Sequence, residues 1–143
     1  RYEGYQKAIK EFGLIESESL VVGDGFSFED GYNSTKELLN CEIPPTAIVL
    51  TGNLITVGAI SAILEKGLLI PDDVSVIAFA DSIFSPYLIQ PLTTISHPLL
   101  EIGSKAFDVL LENIESDNLL PIKQHIVNTQ FDIRKTTGRV KEN

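Results

Sequence analysis

At 143 residues the chain is the size of one domain, and 11 Lys and Arg against 20 Asp and Glu give it a formal net charge of −9. So acidic a chain offers no clustered cations to replace the counterions of a phosphate backbone, which argues against direct nucleic-acid binding. A hydrophobic fraction of 43% with 22% charged residues argues against disorder and predicts a buried core.

From the N-terminus, Tyr2, Tyr5, Ile9 and Phe12 recur at helical spacing, and Gly13 suits the C′ position that stops a helix. A β-branched run near Val21 (SLVVG) reads as a strand. Ser27 with Asp30 three residues on has the form of a capping box, so a helix is predicted from about Phe28 to Asn40, with Pro44 and Pro45 closing the unit. A second strand is centred near Ile48 (TAIVL). The next helix has Asn53 as its expected N-cap and Gly67 as its C′ residue. Its body, LITVGAISAILEKG, is apolar nearly all round, so it needs cover on two sides, from its own domain or from a subunit contact. Gly58, Ala59 and Ala62 would let another backbone come close, and Ile60, Ile63 and Leu64 are candidates for that subunit contact.

A third strand lies near Ser75 (DVSVIAF), and residues 80–91 form a loop with exposed-looking Ile83, Phe84, Tyr87 and Leu88. LTTIS reads as a short extended piece, residues 99–114 as an amphipathic helix with Ile102, Ala106, Val109 and Leu110 on one face, QHIVNTQFDIRK as two short strand-like runs, and GRVKEN as a frayed tail. The regular spacing of the three strands, each followed by a helical pattern, fits strand, crossover helix and return. Unbroken apolar strands suggest cover on both faces. The expected fold class is α/β, a parallel sheet with flanking helices.

Nothing approaches the roughly 20 apolar residues of a bilayer span. The lone Cys41 cannot form an internal disulfide, which suits a reducing compartment, and RYEGYQKAIKEF has no signal-peptide core. Catalytic templates fail. The chain has no nucleophile elbow, no phosphate-binding Gly/Lys loop and no Cys or His at metal-ligand spacing, so no enzyme activity, cofactor or metal is expected. His97 and His125 read as structural histidines. Gly23 and Gly25 lack the third glycine of a dinucleotide fingerprint, and Asp72 and Asp73 read as solvated turn acids. What remains is the set of loops at the C-terminal ends of parallel strands, where open α/β sheets bind ligands: GDGFSF, TGN and FADSIFSP. Phe26 is suited to stack on a small ligand, and Asn53 and Asp81 to hydrogen-bond it at the rim; a core-plugging Phe26, a capping Asn53 and a loop-bracing Asp81 stand equally open.

The ordered motifs Arg1-x-x-Gly4-Tyr5, GDGFSFEDGY, PPTAIVLTGN, VGAISAILEKGLLIPDDVSVIAF, PLTTISHPLLEIG and IRKTTG resemble the effector-binding core of the lactose-repressor/purine-repressor (LacI/GalR) family of bacterial transcription regulators. The resemblance covers nearly the whole chain. It implies a type I periplasmic-binding-protein-like core, present only in part, in which two subdomains close over a small, sugar-like effector. It assigns residues 1–91 and 124–138 to the C-terminal subdomain, gives the 97–118 helix a place against an N-terminal subdomain outside this sequence, and leaves 139–143 as a tail. The DNA-reading helix-turn-helix head would likewise lie outside it, in a cytoplasmic protein.

By the same resemblance, Arg1 matches an arginine that grips effector oxygens, and Phe26 an aromatic that stacks on the effector. Gly52 stands where some relatives have asparagine, and Asn53 where aspartate is common. Ala80 replaces a usual carboxylate, which removes an acceptor for effector hydroxyls. The third helix, with Tyr87 and Leu88, matches a homodimer contact, which for this helix favours the subunit reading. A periplasmic sugar-binding protein and a small flavodoxin-like α/β enzyme are the alternatives.

Overall fold

The computed structural model describes residues 1–14, 17–79, 85–87, 89–116, 121–122 and 124–139. Four strands, β1 (Ala47–Leu50), β2 (Ser75–Phe79), β3 (Thr93–Ser96) and β4 (Gln130–Asp132), form one sheet in the order β1-β2-β3-β4. β1 pairs in parallel with β2, Ile48 opposite Val76, and β2 in parallel with β3, Ala78 opposite Thr94. β4 runs antiparallel to β3, with Phe131 opposite Ile95, so the sheet is parallel with one antiparallel edge.

The helices are α1 (Tyr2–Glu11), α2 (Phe28–Leu39), α3 (Asn53–Glu65) and α4 (Leu99–Glu115). Local chemistry sets their ends. The Ser27 hydroxyl accepts from the Asp30 N–H, and the Asp30 carboxylate accepts from the Ser27 N–H, closing the predicted capping box of α2. Gly13 and Gly67 sit at φ +63° and +76°, past the ends of α1 and α3. Leu14 N–H bonds to Ile9 O and Leu68 N–H to Ile63 O, which satisfies carbonyls the helices would leave orphaned.

The core lies between the sheet and the α2/α3 pair. Leu38 and Leu39 meet Ala59 and Ile63 there, over Ile48, Leu50, Val76 and Ala78. Gly58 permits the close approach expected of it, since a Cβ there would lie 2.1 Å from the Phe28 carbonyl oxygen; Gly31 of α2 does the same from the facing side, where a Cβ would lie 2.3 Å from the Ile55 carbonyl oxygen. Lys66 Nζ donates to the Leu39 carbonyl and to Asn40 Oδ1, tying the end of α3 to the end of α2. The C-terminal segment is tied to the sheet by several hydrogen bonds, among them Arg134 Nη1 to the Leu92 carbonyl and Gly138 N–H to the Ser75 hydroxyl, with Thr136 at their centre. Thr136 accepts Val76 N–H on its carbonyl, accepts Thr93 N–H on its hydroxyl and donates that hydroxyl to Val76 O. Neither α1 nor α4 buries a residue.

Several expectations are corrected. The run near Val21 is no strand: a 3₁₀ turn at Glu18–Leu20 precedes extended backbone, and among the described residues no backbone hydrogen bond joins it to β1. β propensity extends a segment, but a strand also needs a partner edge. Only one of the two runs in QHIVNTQFDIRK pairs, as β4. In β1, Ile48 and Leu50 are buried while Ala47 and Val49 are exposed, so this strand is covered on one face rather than two. The N-cap of α3 is Gly52, and Asn53 is the first helical residue, with no side-chain cap bond. Ile63, expected on the outward face of α3, is fully buried because it completes the core beneath Leu38 and Leu39. Outward lie Leu54, Val57 and Leu64.

Candidate functional site

Parallel strands deliver their C-terminal ends to one rim of the sheet, where the following loops carry side chains free of ladder duties. At that rim β1 ends in Thr51-Gly52-Asn53 and β2 ends in Phe79. Arg1, the N-cap of α1, joins the two: its Nη1 donates to the Thr51 carbonyl at 2.7 Å, and its guanidinium carbon lies 4.7 Å from the centre of the Phe79 ring. The Phe79 ring in turn lies 6.4 Å from that of His97, tilted by 38°. A cation over an aromatic face is worth about 0.5–1 kcal/mol where exposed, enough to orient a long side chain. With one N–H committed to Thr51, the planar fork keeps donors for a carboxylate, a phosphate or paired hydroxyls.

The loop that follows the extended backbone at Val21 is shaped by its own glycines. Gly23 has φ +83°, and a Cβ on Gly25 would fall 2.0 Å from the Asp30 carboxylate. Only glycine lets that carboxylate fold back under the loop, where it accepts from the Ser27 N–H at 2.8 Å and the Ser27 hydroxyl at 2.7 Å. Those bonds hold the Asp30 carboxyl below its ordinary range. The braced loop leaves Phe26 71% exposed, an aromatic face with no core to fill. The core-plugging reading of Phe26 is therefore set aside.

A groove of about 380 Å³ runs beside β1, with Arg1 and Phe79 at its rim. Of the expected effector residues, Arg1 lines it, whereas Phe26 and Asn53 are exposed outside its lining. Asp81 lies outside the described residues, as do Ala80 and Leu88. Thr51 and Phe79, which hold Arg1 in place, open the strand-end loops TGN and FADSIFSP, but neither was singled out within them; their position at a strand's C-terminal end was the available signal. Of the residues expected at a subunit contact, Tyr87 is 85% exposed, Leu64 is 59% exposed and Ile60 is half-buried. Among the described residues no cluster of His, Cys, Asp and Glu could hold a metal ion, and no helix is long and apolar enough to cross a membrane.

A family profile described as "periplasmic binding protein-like domain" matches residues 1–137. The HTH-type transcriptional repressor PurR of Haemophilus influenzae is 42% identical over 114 residues, which are 80% of this chain and 34% of that protein. The transcription regulator CcpA of Lactococcus lactis superposes with a TM-score of 0.82 at 28% identity, covering 94% of this chain and 49% of the solved one. The transcriptional regulator CelR, solved as a cellobiose complex, shares the fold with a TM-score of 0.85 at 23% identity, over 94% of this chain and 41% of its own. The chain thus spans about a third to a half of the length of these proteins.

Proposed function

The chain belongs to the family of periplasmic-binding-protein-like domains and is homologous to repressors of the lactose/purine type, and from that premise we propose that it is the effector-sensing and dimerising part of a cytoplasmic, non-enzymatic transcription regulator. A small molecule held at the C-terminal rim of the sheet changes the balance between two arrangements of the effector-binding core. A DNA-reading head elsewhere in the longer protein converts that change into operator affinity. The single observation that carries this reading is the placement of Arg1 over Phe79 and against Thr51 O, a cation held at a strand-end rim with donors to spare.

The effector is a compact, oxygen-rich molecule with one flat apolar face. Arg1 takes its oxygens, the exposed Phe26 ring its face, and Asn53 and Asp81 its rim hydroxyls or amides. The CelR–cellobiose complex supports a sugar as one such molecule. Homodimerisation uses the outward stripe of α3, Leu54, Val57, Ile60 and Leu64, extended by Tyr87 and Leu88. A contact of this kind covers apolar side chains that the α2 side of the helix leaves in water. The complete reading frame tests the proposal first, since an upstream sequence without a helix-turn-helix would overturn it. The second test is operator affinity of the longer protein measured with and without sugars and purine bases; one of them is expected to change it at least tenfold.

A further inference from the structure

Phe79 closes β2 at the rim, and Arg1 lies over its ring. In the parallel register Phe79 stands opposite Ile95. Residues two apart on a strand share a face, so the alternation of β3, carried one residue past Ser96, puts His97 on the Phe79 side of the sheet. The link from β3 to α4 fixes it there. Pro98 has φ −75° and ψ 77°, and Leu99 N–H donates to the His97 carbonyl at 2.8 Å, which is the form of an inverse γ-turn. Held between a strand end and a closed turn, the imidazole meets the Phe79 ring with centres 6.4 Å apart and planes tilted by 38°, within the range in which aromatic pairs attract.

Arg1 has two holds on the rim, the Thr51 carbonyl and the Phe79 face. A single hydrogen bond leaves a planar guanidinium free to turn about that bond. The aromatic face sets its plane, and with it the direction of the donors that Thr51 does not use. This requires a ring that keeps its own orientation. Phe79 is half-buried and belongs to the last pair of the β2/β3 ladder, so the ladder supplies no paired residue beyond it. His97 takes that place. We propose that His97 is a positioning residue of the effector site: its ring braces Phe79, and Phe79 holds the Arg1 guanidinium with its free donors set for the effector's oxygens. The purpose of the brace rests on the effector reading of this rim, whereas the brace itself rests on the geometry of the three side chains.

The brace can be read by NMR without a ligand, because protons above an aromatic face are displaced upfield. In the 143-residue chain the Arg1 Cδ protons are expected upfield of their ordinary position, and Phe79→Leu is expected to abolish the displacement. His97→Ala and His97→Gln, which lack a ring, should each lose most of it. His97→Phe, a ring without nitrogens, should restore it, whereas a histidine acting only through its nitrogens would lose it in all three variants. The Thr94 and Ile95 amide resonances report whether the sheet is intact in each. A displacement unchanged in both ringless variants, or lost equally in His97→Phe, overturns the brace. Inorganic phosphate, titrated into the same chains, then probes the free donors through the Arg1 Nε–Hε resonance. Affinity is expected to fall about two- to fivefold in His97→Ala, the worth of one exposed cation–π contact, and to recover in His97→Phe. A lost displacement with unchanged phosphate affinity overturns the positioning role. A wild-type Arg1 that phosphate does not move counts against free donors at the rim, on which the effector reading rests, and leaves the brace to be decided by the Cδ displacement.

Discussion

Replacing Gly58 by alanine places a methyl group where α3 crosses α2. The new Cβ would lie 2.1 Å from Phe28 O and 2.7 Å from Tyr32 N, both backbone atoms that no rotamer change can move aside. Restoring an ordinary contact takes a displacement of roughly 1.3 Å along that line, and a gap of that order forfeits up to about half the dispersion energy of the atoms it separates. Overpacking of this kind costs about 3 kcal/mol at the upper end of its usual range. Alanine recovers about 1 kcal/mol through its better helix propensity, leaving a net loss of about 2 kcal/mol. Urea denaturation followed by circular dichroism should therefore show a midpoint lowered by about 1 M at an m-value of about 2 kcal/mol/M. Gly103→Ala in α4 is the matched control, because a Cβ there meets nothing within 4 Å. It should leave the midpoint unchanged or raise it slightly. A Gly58→Ala protein as stable as the control would refute the α2/α3 crossing described above.

Thr136→Val keeps the shape of the side chain but leaves Thr93 N–H and Val76 O without the hydroxyl they share; a loss of about 1–3 kcal/mol is expected by the same urea assay. Ser27→Ala removes the α2 cap, at a cost of about 1 kcal/mol near neutral pH. Because the Asp30 carboxyl is held low by Ser27, its contribution is present above the unfolded carboxylate range and disappears as pH falls through the folded value; the difference between wild type and Ser27→Ala should shrink on acidification in parallel urea curves. Glu65, held low by Tyr32 and Lys36, adds to the same acid loss, so Glu65→Gln should flatten the wild-type decline in stability below about pH 5. For the subunit contact, Val57→Lys or Leu64→Lys should lower the sedimentation coefficient from that of a dimer to that of a monomer, and an unchanged value would remove α3 from the interface.

What was legible in the sequence was local. The capping box at Ser27 and Asp30 and the positive-φ glycines at 13 and 67 each depend on a few neighbouring residues, so α1, α2 and α3 end within a residue or two of their predicted positions. The strand at Val21 was misread because β propensity reports on the segment alone, whereas pairing depends on an edge that another segment must supply. The orientation of α3 was illegible for a related reason: a helix apolar on every side has no phase to read, so Ile63 and Leu64 looked alike until Leu38 and Leu39 of α2 distinguished them. Asn53 and Gly52 differ by one position in a cap that no side chain makes, and composition cannot separate them. Arg1 was found through resemblance, but its seat on Phe79 and Thr51 is a tertiary fact that neither residue type announces.

Whether a small effector binds at the rim built on Arg1 is decided by ligand binding to the longer protein. Isothermal titration against sugars and purine bases identifies a ligand, and the same titration is repeated with Arg1→Ala. Loss of a charge-assisted hydrogen bond, worth about 1.5–3 kcal/mol, predicts affinity weaker by about 10- to 100-fold. A ligand that binds Arg1→Ala as tightly as wild type contradicts the account.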